Sequence, residues 1–319
     1  MNVYLSFDVE VWCDSWDALD RSFAPSFARY VWGHSAHGDY ALPQTLAMLN
    51  RHGLPGVFFV EPLFAARFGL AHLATIVQLI RAAGHTVQLH LHPEWTNEAR
   101  VPLLANSAAK RQHLSHYTLA EQTALIAQGK QMLEAVGSGP IGAFRAGSFA
   151  ANGNTFEALR RNRIFLDSSL NRCYAVSAPE LRHAHSFDQA FVTRGVTTFP
   201  VTVMQDGFGN ARPAQVGACS FAEMRQALLS AQRAGLRDFV VLSHNFEMLQ
   251  PNSCEPDWVV VKRFEQLCAF LAANPALFCV RGFEEDLRHR APTQPDPAAP
   301  KSSMLATARR YVEQAQRRW

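Results

Sequence analysis

One design recurs along the chain: a short β-type run that ends in ionisable side chains. It occurs five times, and the ends of these runs are Asp8-Val9-Glu10, His90 to Glu94, Arg145 to Ser148, Asp167-Ser168-Ser169 and Ser243-His244. Apolar segments of helical period alternate with these runs, which predicts an α/β fold. Polar groups at the C-terminal ends of successive strands are typical of a parallel α/β barrel. The pattern therefore predicts both the fold class and the location of a functional site at the strand ends.

The spacing of apolar residues and the glycine stop signals predict the helices between the runs. We expect helices over residues 42–52, 73–83, 119–136, 155–161, 221–234 and 259–273, with a buried strand over residues 57–60. At 319 residues and 48% hydrophobic composition, the chain can bury a full core in one catalytic domain. We predict that domain over residues 1–290, a Pro/Ala-rich linker over 291–300 and a basic C-terminal helix or tail over 301–319.

Two of the run ends have the composition of a metal site. Asp8 and Glu10 stand at i and i+2, so that both carboxylates leave one face of the first strand. Buried carboxylates without partners are costly, so this pair predicts a metal, another cation or a water-filled site; two solvated acids are the alternative. His90 and His92 likewise share a face, and Pro93 turns the chain so that it can bring Glu94 back towards them. Imidazole and carboxylate together suit zinc or another divalent metal.

Taken in order, these motifs resemble a known family. The ordered set comprises Ser6-Phe7-Asp8-Val9-Glu10, Gly84 to His90, Phe144-Arg145-Ala146-Gly147-Ser148, Asp167-Ser168-Ser169 and Leu242-Ser243-His244. It resembles the polysaccharide deacetylase family with the NodB homology domain (carbohydrate esterase family 4-like), over about residues 1–290. The resemblance implies a distorted (β/α) barrel and the metal-dependent removal of acetyl groups from N-acetylated sugars.

The resemblance also implies roles for individual residues. Asp8 matches the general base, and Glu10 takes the place of the metal-binding acid that follows it. His90 matches the first histidine of the metal motif, while the third ligand is either His92 or Glu94. Zinc is the first expectation for the metal, with cobalt, manganese or nickel as alternatives, because more carboxylate in the shell favours a harder ion.

The remaining motifs supply the other catalytic groups that the resemblance implies. Arg145 matches the arginine that pairs with the catalytic aspartate, His244 matches the general acid, and Asp167 matches the acid that tunes this histidine. The implied mechanism is metal-assisted amide hydrolysis, in which Asp8 takes a proton from the attacking water and His244 donates one to the departing nitrogen. Two alternatives remain: hydrolysis of another amide, or sugar binding without catalysis.

Substrate contacts are predicted at Trp12, Trp95 and Ser148. Residues 11–40 form an aromatic-rich insert that we expect as a loop over the mouth of the barrel, where indole and phenol rings could stack on a sugar. A second insert covers residues 172–217 and gives no preference between substrate contact and scaffolding. The expected substrate is an N-acetylated sugar or oligosaccharide.

Charge and cysteine content bear on partners and location. The six cysteines lack C-x-x-C spacing, no leader or membrane-spanning run is evident, and a cytoplasmic protein is expected. The barrel is near neutral, which predicts no nucleic-acid binding. Residues 301–319 carry five basic residues against one acid, so a basic amphipathic helix over residues 304–319 could make a peripheral contact with an anionic membrane; a packed or frayed helix is the alternative.

Overall fold

The computed structural model describes residues 1–13, 15–105, 109–181, 187–289 and 298–317. Its strands are β1 Asn2–Val9, β2 His34–Ser35, β3 Gly38–Asp39, β4 Val57–Val60, β5 Thr86–Leu91, β6 Ala143–Ala146, β7 Leu166–Asp167, β8 Phe191–Thr193, β9 Val196–Thr198, β10 Val203–Gln205, β11 Ala211–Pro213, β12 Asp238–His244 and β13 Cys279–Val280. Its α-helices are α1 Leu19–Phe27, α2 Leu42–Arg51, α3 Ala65–Phe68, α4 Leu70–Ala82, α5 Leu119–Ala135, α6 Gly153–Arg161, α7 Phe221–Arg233, α8 Trp258–Ala272 and α9 Met304–Gln316.

The chain forms two compact units, the first of which contains β1. This unit comprises Met1–Gly56, Met204–Arg281 and Ala298–Trp319. Strand β1 lies between β12 and β13 and is parallel to both, with Asp8 in register with His244. Strands β1 and β12 are almost wholly buried, as expected of parallel strands covered on both faces. Phe7 of β1 packs edge-on against Phe264 of α8, with the ring centroids 5.7 Å apart.

The second unit comprises Val57–Val203 and Gly282–Pro297. Strands β4, β5, β6, β7 and β9 are parallel in that order, and β8 is antiparallel to β9. His90 at the end of β5 is in register with Arg145 of β6, and Phe144 with Asp167 of β7. The C-terminal ends of these strands therefore carry the polar groups, as the sequence pattern predicts.

All six predicted helices are confirmed, with ends that differ by a few residues. Their N-terminal caps follow from the sequence: Thr118 with Glu121 and Ser220 with Glu223 close capping boxes at α5 and α7. The first insert differs from the expected loop, because residues within it form α1 and the π-helical turn Ala28–Trp32. Phe23 and Phe27 are buried in this segment, so a helical apolar face accounts for part of its aromatic content.

The C-terminal segment forms α9, which clusters with the first unit. The predicted linker falls largely on residues 291–297, which lie outside the described residues. Among the described residues, no helix is long and apolar enough to cross a bilayer.

Candidate active site

The adjacent ends of β1 and β12 gather three ionisable side chains in the first unit. Asp8 and His244 are opposite each other in the parallel register, and Glu10 follows Asp8 on the same face of the chain. Asp8, Glu10 and His244 each offer a ligand atom within 4.8 Å of those of the other two. Asp8 is 3% exposed and Glu10 is 7% exposed, so their carboxylates are withdrawn from bulk water.

Two neighbouring side chains fix Glu10. The amide of Asn245 accepts a hydrogen bond from the Glu10 N–H (3.0 Å) and donates to the Glu10 carbonyl (3.1 Å) and to the Tyr30 carbonyl (2.5 Å). The indole N–H of Trp12 donates to Oε2 of Glu10 at 2.6 Å. Backbone and carboxylate of Glu10 are thus held separately, which is the arrangement that orients a metal-binding acid.

His244 has a carboxylate partner, Glu247, three residues further along the chain. Oε2 of Glu247 lies 3.4 Å from Nδ1 of His244 and accepts the His244 backbone N–H at 3.0 Å. Burial lowers the pKa of His244, but the hydrogen bond and charge of Glu247, with further help from Glu10 and Asp8, raise it to about 9. His244 is therefore protonated at neutral pH, the state that a general acid requires.

A close backbone approach holds Glu247 in turn. Oε1 of Glu247 accepts hydrogen bonds from the side chain of Gln215 (2.8 Å) and from the N–H of Gly217 (2.9 Å). A Cβ at Gly217 would overlap this oxygen, so any other residue there would displace the Glu247 carboxylate.

The end of β5 in the second unit presents two histidines whose Nδ1 atoms are both engaged. Nδ1 of His90 donates to the Arg145 carbonyl at 2.8 Å, which fixes the tautomer and makes Nε2 the nitrogen that would bind a metal. Nδ1 of His92 lies 3.3 Å from Oε1 of Glu94, and the two imidazole centroids are 4.9 Å apart. Histidines oriented by a carbonyl or a carboxylate through the second ring nitrogen are typical of metal ligands.

Glu94 and the glycine at position 147 complete this group. Within the described residues, Oε2 of Glu94 is a buried oxygen with no hydrogen-bond partner. A Cβ at Gly147 would lie 2.7 Å from the His92 ring, so the glycine makes room for that imidazole. A buried, unsatisfied oxygen on a carboxylate that lies beside the His92 imidazole fits a cation, because such an oxygen is otherwise costly.

Glu61, which follows β4, is a buried carboxylate that sequence analysis missed. It accepts the N–H groups of Leu63 (2.8 Å) and Phe64 (3.3 Å). Burial raises its pKa to about 8 against the effect of these hydrogen bonds, with His92 lowering it and Glu94 raising it. The sequence does contain a signal for Glu61, because the predicted strand over residues 57–60 also ends in an ionisable group.

Arg145 and Asp167 are both buried at the ends of β6 and β7. Arg145 donates to the carbonyl of Ser168 (3.2 Å) and to its hydroxyl (3.0 Å), and its guanidinium lies 4.4 Å from the ring centroid of Phe59. Asp167 accepts from Ser169 and from Thr198 (2.6 Å), while burial raises its pKa against these hydrogen bonds and the charge of Arg145. The pairing of Arg145 with Asp8, and the tuning of His244 by Asp167, stay predictions.

The three predicted substrate contacts have different surroundings. Trp12 is partly exposed and hydrogen-bonds Glu10, whereas Trp95 is 2% exposed and packs edge-on against the rings of Phe64 and Phe68. Ser148 has a left-handed backbone with φ of 53°. These contacts stay predictions, as does the shell that would combine Glu10 with His90 and with His92 or Glu94.

Comparison with known proteins gives matches by structure and none by sequence. No protein-family model matches, and no curated protein sequence matches. A protein from Mycobacterium smegmatis that is assigned as a polysaccharide deacetylase superposes with a TM-score of 0.60 at 18% identity, over 92% of this chain and 94% of that one. A family 4 carbohydrate esterase from Streptomyces lividans gives a TM-score of 0.45 at 14% identity, over 94% and 97%.

The 4-α-glucanotransferase of Thermococcus litoralis also superposes, with a TM-score of 0.55 at 10% identity, over 92% of this chain and 41% of that one. At such identities a shared fold does not by itself assign a reaction. The predicted fold class, a distorted (β/α) barrel of the NodB type, is confirmed. The chain thus has the fold of the polysaccharide deacetylases.

Proposed function

We propose that this protein is a metal-dependent hydrolase that removes the acetyl group from an N-acetylated sugar. The observation that carries the proposal is the juxtaposition of Asp8, Glu10 and His244, each buried or partly buried, with ligand atoms within 4.8 Å of one another. A carboxylate base beside a protonated histidine is the pair that amide hydrolysis needs. The fold of the polysaccharide deacetylases agrees with this chemistry.

The donor set fits a divalent cation. Carboxylate oxygens from Glu10 and Glu94, and imidazole nitrogens from His90 and His92, are the donors that zinc and similar first-row ions take. The buried Oε2 of Glu94 and the engaged Nδ1 atoms of both histidines support this assignment. When bound, the cation supplies Lewis acidity for the acetyl carbonyl and for the attacking water.

The chain's own residues then perform the proton transfers. Asp8 takes a proton from the water that attacks the acetyl carbon. His244, protonated because Glu247 raises its pKa to about 9, donates a proton to the departing amine nitrogen. Glu247 holds the imidazole in the orientation that keeps Nε2 for this transfer.

The test is acetate release from N-acetylglucosamine oligosaccharides by the full chain. We expect release to cease with a chelator and to return with Zn²⁺, Co²⁺, Mn²⁺ or Ni²⁺. Asp8→Asn should abolish turnover while the chain still binds the sugar. Sugar binding without acetate release in the metal-loaded wild type would instead support a non-catalytic carbohydrate-binding protein.

Metal titration by calorimetry tests the ligand set independently of activity. We expect one ion per chain, with the affinity reduced at least tenfold in Glu10→Ala and in His90→Ala. Comparison of His92→Ala with Glu94→Gln distinguishes the third ligand from the residue that orients it, because loss of the ligand should weaken binding more. Unchanged affinity in both Glu10→Ala and His90→Ala would contradict the proposed shell.

A further inference from the structure

Helix α9 exposes its apolar side and buries its polar side. At 100° per residue, an arc of about 120° holds Tyr311, Met304, Val312 and Leu305, together with two alanines. These four side chains are exposed: 48%, 64%, 60% and 83%, respectively. A helix that packs on a protein core ordinarily buries its apolar side and presents its polar side to water.

Ion pairs fix this orientation from the buried side. Arg310 is 1% exposed and donates to Glu223 of α7 (3.0 Å) and to Asp206 (3.1 Å). Thr307 donates to Glu223 at 2.9 Å and accepts the N–H of Gly207 at 2.8 Å. Rolling the helix to hide its apolar arc would leave buried charges without partners, which is strongly unfavourable.

Close packing of the backbone fixes the helix as well. A Cβ at Gly207 would overlap the backbone of Met304, so the first turn of α9 lies directly against residue 207. Arg263 of α8 pairs with Glu313 at 2.8 Å, and Arg317 pairs with Asp257 at 2.5 Å. These contacts hold α9 with its apolar arc at the surface.

The apolar surface extends beyond α9. Phe208 is 56% exposed, and its ring centroid lies 6.3 Å from that of Tyr311. Trp258 is 51% exposed and lines, with Val312, a groove of about 360 Å³ between α8 and α9. Six of the ten large apolar side chains exposed among the described residues thus belong to this surface, which we call the α9 surface (Phe208, Trp258, Met304, Leu305, Tyr311, Val312). Contiguous exposed apolar patches mark sites of interaction.

Charge around the α9 surface is positive. Lys301, Arg309 and Arg317 are exposed, and Glu313 and Asp257 pair with Arg309 and Arg317. Arg310 is buried between Glu223 and Asp206 and adds no positive charge to this surface. Arg309 and Lys262 are exposed along the groove, and the exposed Lys301 precedes the first turn of α9. A second copy of the chain would bring these cations against their equivalents, whereas anionic lipid headgroups complement them.

We propose that the α9 surface docks the protein peripherally on an anionic lipid bilayer. Leu305, Met304 and Val312 would enter the acyl boundary, and the cations would contact the headgroups. Tyr311 and Trp258 suit this level, because amphipathic aromatic rings favour the membrane–water interface. The inference is independent of the proposed deacetylase activity.

Flotation of the full chain with lipid vesicles tests it. We expect binding to phosphatidylcholine vesicles with about 30% phosphatidylglycerol, little binding to pure phosphatidylcholine, and release at 0.5 M salt. Leu305→Glu with Val312→Glu should lower vesicle binding at least tenfold. Val101→Glu with Val192→Glu, at exposed apolar positions of the second unit, is the matched control and should bind as the wild type does.

A second variant guards against a folding defect. Lys262→Gln with Arg309→Gln keeps the apolar arc and should weaken binding to anionic vesicles about fivefold for each charge removed. Absence of binding by the wild type would overturn the proposal, as would binding that the glutamate pair leaves unchanged. Self-association in sedimentation that the glutamate pair abolishes, without vesicle binding, would assign the surface to a second copy.

Discussion

Replacement of Glu247 by glutamine removes the negative charge that keeps His244 protonated and nearly preserves the side-chain shape. Oε2 of Glu247 lies 3.4 Å from Nδ1 of His244, and the charge and hydrogen bond of Glu247 are the largest effects that raise the histidine's pKa. Burial acts in the opposite direction. Without Glu247, Asp8 and Glu10 alone oppose burial, so the pKa should fall from about 9 to the ordinary value of about 6.5 or below.

The size of this shift can be converted to free energy. A fall of about 2.5 pKa units means that the wild type favours the protonated imidazole by about 3 kcal/mol more than Glu247→Gln does. The side chain of His244 is 23% exposed, so solvent screening reduces this value only in part. Because the folded-state pKa is raised, the stabilisation is fully present below about pH 6.5 and is lost as the pH rises through about 9.

The assay is an NMR titration of the chelator-treated protein. The His244 resonance should titrate near pH 9 in the wild type and at least two units lower in Glu247→Gln, and the fall in unfolding free energy between pH 6.5 and 9 should disappear. Gln215→Met is the control, since it removes another partner of Glu247 but keeps the carboxylate. A His244 pKa in the glutamine variant within half a unit of the wild-type value would refute the reasoning.

Three further substitutions test how the site is built. Gly217→Ala should displace the carboxylate of Glu247 and reproduce part of the glutamine phenotype in the same titration, because the added Cβ overlaps Oε1. Trp12→Phe keeps an aromatic face but removes the hydrogen bond to Glu10, so metal affinity measured by calorimetry should fall about tenfold while the KM for sugar changes little. A raised KM with unchanged metal affinity would instead make stacking on the sugar the main role of Trp12. Asn245→Ala removes three hydrogen bonds and should cost about 2–4 kcal/mol of unfolding free energy in urea denaturation, with weakened metal binding. Unchanged stability would contradict the role of Asn245 in holding the Glu10 backbone.

Local pattern predicts most of the secondary structure of this chain. Glycine stop signals and apolar periodicity locate α2, α4, α5, α7 and α8 within a few residues, because each helix buries one apolar stripe between clear start and stop signals. The same signals do not predict the helix within residues 11–40. Leu19, Phe23 and Phe27 follow helical spacing in α1, but Pro25 lies within the helix, where a proline ordinarily argues against one.

The sequence pattern predicts only those residues of the candidate site that lie at strand ends. Residues at strand ends are visible in sequence, and Asp8, Glu10 and His244 lie together because parallel register brings distant strand ends to one edge. Glu247 and Asn245 lie beyond the strand, in a turn whose geometry no periodicity encodes. Their roles depend on hydrogen bonds made across the turn, and these hydrogen bonds are visible only in the structure.

The spacing of Asp8 and Glu10 at i and i+2 has a physical explanation. Adjacent residues on a strand point to opposite faces, so two adjacent acids reach one ion only where the strand has already ended or bends. Here Val9 is the last residue of β1, and the i, i+2 spacing lets Asp8 and Glu10 leave the same face without such a bend. The longer reach of Glu10 then needs its own restraint, which Trp12 supplies at the carboxylate and Asn245 at the backbone. Glu10→Asp should therefore lose the Trp12 contact and weaken metal binding in calorimetry, even though the charge is kept.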